Sequence, residues 1–205
     1  MADVSASSVF KALSIADQKI IRDVTSLLEN ISRKTAAFAQ ATGLHCKPGC
    51  GKCCANPNIE TTVAEMMPMA VDLWGKGQAE AMLTVLERSA AQCAFYKPNA
   101  LVPGNGQCSA YEYRPGLCRL FGFSTTKDKY DKSYLATCKV IKEQFPIDYA
   151  RAQRAIAYGV QAPSMSEHAF EVFNMDPQLG KELMPINQAT RLAIERVGLS
   201  LNLNQ

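Results

Sequence analysis

Eight cysteines are the residues of this chain whose types and spacing could do chemistry, and four of them lie within nine positions. The first segment reads Cys46-Lys-Pro-Gly-Cys50-Gly-Lys-Cys53-Cys54, and the others are Cys93, Cys108, Cys118 and Cys138. Thiolates are the softest ligands that a protein offers, and clustered thiolates bind zinc, iron or iron–sulfur clusters. We therefore predict metal binding by all eight, with packing in the core as an equal alternative for Cys138.

Disulfide bonds are the main alternative for so many cysteines. Cys53 and Cys54 are adjacent, and a bridge between neighbours requires a strained ring. Residues 1–10 lack the basic and apolar segments of a signal peptide, and no uncharged apolar run approaches the length that spans a bilayer. We therefore expect a cytoplasmic protein without a membrane partner, in a compartment that keeps thiols reduced.

The composition is that of an ordinary globular protein. The chain has 205 residues, of which 47% are hydrophobic and 20% charged, and its formal net charge is +3. This length suits one domain, 1–205, with a hydrophobic core. Because no run of lysine and arginine occurs, we expect no nucleic-acid partner. No triad, phosphate loop or paired-carboxylate pattern identifies catalytic residues.

Helical patterns surround the cysteines. Ser14 and Asp17 form a capping pattern that opens a long amphipathic helix, which should end at Gly43. Thr62 and Glu65 form a second capping box, and the helix that follows should kink or split at Pro68.

The second cysteine region, 92–123, is irregular. A turn at 103–106 precedes a candidate short strand over 108–113, which could form a β-hairpin. Beyond it, Tyr134, Cys138, Ile141 and Phe145 have the spacing of one helical face. Further helices are predicted over 78–91, 148–160, 164–174 and 187–197, the last with Asn187 as its N-cap and Gly198 as its end. The predicted fold is mainly α: a single helical domain with two irregular cysteine-rich loops and one candidate β-hairpin.

The two cysteine segments together resemble the CxxCxxCC (YkgJ-like) cysteine-cluster family, whose members are described as chelating zinc or iron. The resemblance is carried by Cys46 to Cys54, by Cys93, and by Cys108-Ser-Ala-Tyr-Glu-Tyr-Arg114-Pro115-Gly-Leu-Cys118. It covers about 45–123, which we take as the metal-binding core, and leaves 124–205 as a helical C-terminal part. It implies a metal ion as the partner and the cysteines as its ligands.

The spacing leaves the metal open. Three cysteines from one loop, Cys46, Cys50 and Cys53, slightly favour iron, as an ion or an iron–sulfur cluster, over zinc. Because adjacent residues cannot easily face one ion, Cys54 should serve a second centre or a bridging role. The same spacing occurs in radical-SAM enzymes, but the helical surroundings argue against their βα barrel.

Two functional classes remain. A metal-binding protein that holds iron or zinc is the first reading, and it includes a metal-handling module or a structural zinc module. An iron–sulfur enzyme or redox protein is the alternative, with methylase-like chemistry because a flagellin lysine methylase resembles this family. Whether the protein is an enzyme stays open.

Histidine and methionine add little to this site. His45 adjoins Cys46 but is better explained as a capping residue at a helix end, and His168 is better explained as a surface or core residue than as a ligand. Met66, Met67 and Met69 have the helical spacing of core residues.

Overall fold

A computed structural model describes residues 5–89, 92–130 and 132–203. The chain is mainly α, as the sequence predicts. The helices are α1 (Ala6–Ala12), α2 (Ile15–Thr42), α3 (Val63–Gly75), α4 (Ala79–Arg88), α5 (Gly116–Leu120), α6 (Lys139–Gln144), α7 (Pro146–Ala157), α8 (Met165–Met175) and α9 (Ile186–Leu203).

Within the described residues, six short strands form three antiparallel pairs among the helices. They are β1 (Glu60–Thr61), β2 (Tyr96–Pro98), β3 (Gly106–Cys108), β4 (Ser124–Lys127), β5 (Ser133–Ala136) and β6 (Met184–Pro185). The pairs are β1 with β6, β2 with β3, and β4 with β5. The β2–β3 hairpin lies in the second cysteine region, where a hairpin is predicted.

Local signals place the first long helix correctly. Ser14 caps α2, because its hydroxyl accepts a hydrogen bond from the amide of Asp17 at 3.1 Å. The helix ends at Gly43, whose φ of 71° is left-handed and favours glycine. The buried carboxylate of Asp17 also accepts a hydrogen bond from Nε of Arg196 at 2.8 Å, so the start of α2 is attached to α9.

The main core lies between α3 and α9. Met66, Met67 and Met69 are buried there, which confirms that they are core residues. Nε1 of Trp74 donates a hydrogen bond to the carbonyl of Ile194 at 2.9 Å. This contact fixes the position of α9 against α3.

Pro68 does not split its helix, and Gly198 does not end one. Helix α3 runs from Val63 to Gly75 through Pro68, so of the predicted kink or split the split is wrong. Helix α9 continues past Gly198, because that glycine faces the ring of Trp74 and a Cβ there would lie 2.7 Å from Cζ2. Close packing, and not helix termination, therefore explains this glycine.

Asn187 is not a cap but lies within the first turn of α9. Its Oδ1 accepts a hydrogen bond from the amide of Ala94 at 3.0 Å, and its Nδ2 donates to the carbonyl of Gln92 at 2.8 Å. The side chain therefore anchors the loop that carries Cys93. Part of the helix predicted over 78–91 also lies outside the described residues, since 90 and 91 are not among them.

Two segments near the cysteines differ from their predicted structure. Residues 133–136 form β5 and not a helix, because they pair with β4 and bury only Leu135. Cys138 is then the N-cap of α6, with Sγ accepting a hydrogen bond from the amide of Ile141 at 3.5 Å. The predicted strand over 108–113 is also wrong: β3 ends at Cys108, and Tyr111–Tyr113 form a 3-10 turn.

Glu65 joins the elements on either side of both cysteine regions. Its Oε2 accepts hydrogen bonds from the hydroxyls of Thr61 and Thr62. Its Oε2 also accepts from the amide of Thr62, and its own amide donates to the Thr62 hydroxyl, which forms the predicted capping box of α3. Its Oε1 accepts from the amide of Gly116 at 2.7 Å and lies 2.9 Å from Nε2 of His168. One buried carboxylate therefore connects β1, α3, α5 and α8.

We expect Glu65→Ala to lower the free energy of unfolding by about 3–5 kcal/mol, because it leaves the buried partners of the carboxylate unpaired. Glu65→Gln, which retains one oxygen acceptor and the shape, should cost less. Urea unfolding of both variants measures this, with exposed Glu60→Ala as the control. A loss below 1 kcal/mol for Glu65→Ala would contradict this role.

The pKa of Glu65 predicts how the stability of the protein changes in acid. Burial raises the pKa of Glu65, but the hydrogen bonds from His168, Gly116 and Thr61 outweigh it and hold the pKa below its ordinary 4.5. The ionised form therefore stabilises the fold above pH 4.5, and this stability is lost as the pH falls below that value.

Gly198→Ala should destabilise the protein by about 1–3 kcal/mol, although alanine is the better helix former, because the added methyl group overlaps Trp74. Thermal unfolding measures the effect. Leu199→Ala, at an exposed neighbouring position, serves as the control and should change stability by less than about 0.5 kcal/mol. A Gly198→Ala variant as stable as the parent protein would contradict the close packing.

Candidate metal centre

The first cysteine loop, 46–54, is held against the β2–β3 hairpin by backbone contacts. The amide of Gly106 donates a hydrogen bond to the carbonyl of Gly49 at 3.0 Å, and Cys50 forms an isolated antiparallel bridge with Asn105. Gly51 permits this approach, since a Cβ there would lie 2.6 Å from Cε2 of Tyr96. Glycine thus brings the first cysteine loop onto the hairpin that carries Cys108.

Cys53 and Cys54 lie in a tight turn that brings their thiols together. The amide of Ala55 donates a hydrogen bond to the carbonyl of Gly51 at 2.9 Å, and the two Sγ atoms are 4.0 Å apart. The two thiols are therefore neighbours in space as well as in sequence. A second centre or a bridging role for Cys54 stays a prediction.

The second cysteine region supplies three thiols from three elements. Cys93 is buried in the loop that Asn187 anchors, Cys108 ends β3, and Cys118 lies in the short helix α5. In the hairpin, Cys108 pairs with Tyr96.

Two arginines position α5. Arg119 donates from Nε to the carbonyl of Arg114 at 2.6 Å and from Nη1 to the hydroxyl of Ser32 on α2 at 2.6 Å. The guanidinium of Arg114 lies 3.5 Å from the ring centroid of Tyr111 and donates to the carbonyl of Cys118. Arg114 therefore places a fixed positive charge beside the thiol of Cys118.

One set of thiols lies around Cys118. Burial, followed by the neighbouring thiol of Cys93, raises the pKa of Cys118 to about 12, and Cys108 and Cys53 contribute to this rise. A hydrogen bond to Cys53 is the main cause that raises the pKa of Cys54, to which Cys108 and Cys118 also contribute. We call these five cysteines the five-thiol group: Cys53, Cys54, Cys93, Cys108 and Cys118.

Within this group, one thiol is poised to ionise first. The hydrogen bond from Cys54 lowers the pKa of Cys53 to about 6, and the charge of Arg114 contributes. Burial raises the pKa of both Cys93 and Cys108, and each of these two also has a neighbouring thiol that raises it further. Because like charges repel, the group resists holding several thiolates at once without a cation.

A second set lies around Cys46. Partial burial, followed by the thiols of Cys50 and Cys138, raises the pKa of Cys46 to about 11, and Cys53 contributes less. Cys138 therefore lies close enough to interact with the first loop, although it is the most distant cysteine in the sequence. We call Cys46, Cys50 and Cys138 the three-thiol group.

All eight cysteines are free thiols, and each interacts electrostatically with at least one other. Among the residues that the structure describes, no three Cys, His, Asp or Glu side chains stand at the spacing of a metal site. Thiols are nevertheless the donors that zinc and iron prefer. To coordinate one ion together, the sulfurs would have to move closer to one another.

The two histidines lie outside both thiol groups. His45 is exposed, and its Nδ1 lies 3.0 Å from the carbonyl of Gly43, in agreement with a role at the helix end. His168 is buried, as a core residue should be, but it forms an ion pair with Glu65 that the sequence analysis missed. A histidine within a helical pattern gives no local sign of such a distant partner.

A cavity of about 190 Å³ opens beside the five-thiol group. Cys53, Cys54 and Cys118 line it together with Arg114 and the apolar side chains of Leu117 and Phe121, among others. The cavity makes room for a ligand of a few atoms next to these sulfurs.

Residues 45–139 match the model of the CxxCxxCC family, described as a "Putative zinc- or iron-chelating domain". The matched segment contains all eight cysteines. It extends beyond the motif to include Cys138. No curated protein and no solved structure matched the chain.

None of the helices in the described ranges combines the length and the apolar character needed to cross a bilayer.

We expect metal affinity to rise with pH, because a metal ion must displace protons from thiols such as Cys46 and Cys118, whose pKa values lie well above 7. Each proton released makes binding about tenfold tighter per pH unit. Zinc titration against a chromophoric chelator at pH 6.5 and 7.5 measures this, and a pH dye in weak buffer counts the protons. Affinity that does not change with pH would contradict binding through these thiols.

Proposed function

We propose that this protein binds two metal ions, one in each thiol group. The five-thiol group holds one ion through Cys53, Cys54, Cys108 and Cys118, with Cys93 behind Cys118. The three-thiol group holds the second. The observation that carries this proposal is the division of the eight mutually interacting thiols into two sets.

The separation of the Cys53 and Cys54 sulfurs supports one ion in the five-thiol group. In a tetrahedral site with metal–sulfur bonds of about 2.3 Å, two ligand sulfurs stand about 3.8 Å apart. The 4.0 Å between these two Sγ atoms is close to that value. This separation fits one zinc or iron ion and differs from a [4Fe–4S] cluster, in which each cysteine coordinates its own iron.

Charge balance supports the same assignment. Four thiolates around a divalent ion leave a net charge of −2, which is costly in a partly buried site. Arg114 lies against this group and contributes to the lowered pKa of Cys53. One fixed guanidinium offsets half of the excess charge and keeps the filled site compatible with burial.

The three-thiol group supports a different chemistry. Three protein ligands leave the fourth position of a tetrahedral ion open, as in catalytic zinc sites, whereas closed four-ligand sites are structural. Cys46 is exposed, so this position is accessible from solvent. A metal-dependent reaction or metal transfer would therefore take place at the three-thiol group, in a compartment that keeps thiols reduced.

Cysteine-to-serine variants test the two sites separately. Cys118→Ser should remove one metal ion per chain and leave the other, and Cys138→Ser should do the reverse. Each lost ligand should weaken its ion by at least about tenfold, because the serine hydroxyl is a poor ligand for these metals. Metal analysis of protein purified without oxygen measures the content of each variant.

The same samples settle the kind of metal and the number of sites. Acid-labile sulfide in proportion to iron would contradict single ions and establish a cluster. Complete loss of metal in both variants would contradict two independent sites. Unchanged metal in Cys138→Ser would return Cys138 to the role of a core residue.

A further inference from the structure

A cavity of about 480 Å³ lies between β1 and α8, outside both thiol groups. Its volume falls within the range typical of small-molecule pockets, about 300–1,000 Å³. Apolar side chains make up much of its wall: Leu117, Met165, Val172, Phe173 and Leu183. The metal-binding proposal gives this cavity no role.

The buried, hydrogen-bonded pair of Glu65 and His168 lines the same cavity. His168 is only 8% exposed, and its Nε2 lies 2.9 Å from Oε1 of Glu65. Because an ionised carboxylate only accepts hydrogen bonds, Nε2 carries the proton of this contact. The other ring nitrogen, Nδ1, is buried and has no hydrogen-bond partner within the described residues.

A structural role for the hydrogen bond between Glu65 and His168 does not account for that nitrogen. Glu65 already accepts hydrogen bonds from Thr61, Thr62 and the amide of Gly116, so the connection between β1, α3 and α5 does not depend on the imidazole. A buried polar atom without a partner is uncommon in folded proteins and calls for an explanation. A hydrogen-bond donor from a bound molecule would supply the missing partner.

We propose that this cavity binds a small, largely apolar molecule that carries a hydroxyl or amino donor, and that Nδ1 of His168 accepts its hydrogen bond. Glu65 is the positioning residue, because it fixes the ring and the proton on Nε2. This proposal does not rest on metal binding. Asn58 and Leu117 line both this cavity and the one beside the five-thiol group, so the bound molecule would lie next to that group.

Two probes of equal shape test the donor. The protein is titrated calorimetrically with 4-ethylphenol and with 1-ethyl-4-fluorobenzene, in which fluorine replaces the hydroxyl. We expect the phenol to bind about tenfold more tightly, since only the phenol donates a hydrogen bond to the unpaired nitrogen. Equal affinities, or no binding of the phenol at millimolar concentration, would overturn the proposal.

A blocking variant tests where the phenol binds without disturbing the contact between Glu65 and His168. Ala169 lines the cavity from the exposed side of α8, and Ala169→Trp should abolish binding of the phenol. Ala81→Trp, at an exposed position of α4, is the matched control and should bind normally. Binding that survives Ala169→Trp would place the site elsewhere and overturn the proposal.

His168→Phe tests the acceptor itself. It keeps a ring of similar size, so the fluorinated probe should still bind while the tenfold preference for the phenol disappears. If this variant does not fold, ¹⁵N spectra of the parent protein test the acceptor instead, because the chain has only two histidines whose imidazole signals must be distinguished. In these spectra, the phenol should shift Nδ1 of His168 and leave His45 unchanged. A preference that persists in His168→Phe, or a His168 signal that does not move, would overturn the assignment.

Discussion

The buried carboxylate of Glu65 is the interaction on which the arrangement of both cysteine regions depends. A carboxylate removed from water is stable only when donors surround it. Glu65 meets that requirement with donors from β1, from the first turn of α3 and from the start of α5, and it adds the imidazole of His168. Glu65 follows the first loop in the sequence, and Cys118 lies two residues after the amide of Gly116 that the carboxylate binds. Glu65 therefore ties the helix after the first loop to the short helix that carries Cys118.

Outside that anchor, polar and backbone contacts hold the cysteine loops in addition to the packing of Cys93 and Phe95 into the main core. Asn187 holds the loop at Cys93, the contact between Gly49 and Gly106 holds the first loop to the hairpin, and Arg119 holds α5 to α2. These contacts fix where the segments lie. They bring the sulfurs into mutual range without setting ligand geometry, so a bound ion would supply the last part of the order, as it does in small metal-dependent domains.

The sequence predicts structure that depends on contacts within one helical turn, and it misses structure that depends on contacts between distant residues. Caps at Ser14 and Thr62 and the left-handed Gly43 place the two helices beside the first loop correctly, because each signal acts within one turn. The spacing of Tyr134 and Cys138 was misread, since β5 depends on pairing with β4. Gly198 was misread because its partner, Trp74, is remote. In the candidate site, the cysteines are visible from their clustering, whereas the pair of Glu65 with His168 has no sequence signal.

Leu117 and Asn58 lie between the thiol cavity and the larger apolar cavity. They determine how a change in one cavity could affect the other. On one side Arg114 provides positive charge for ionised sulfur, and on the other Glu65 provides negative charge for the proton on Nε2 of His168. Leu117 lies in α5 next to Cys118 and lines both cavities. A shift of Cys118 toward a metal ion would therefore also displace a residue in the wall of the larger cavity.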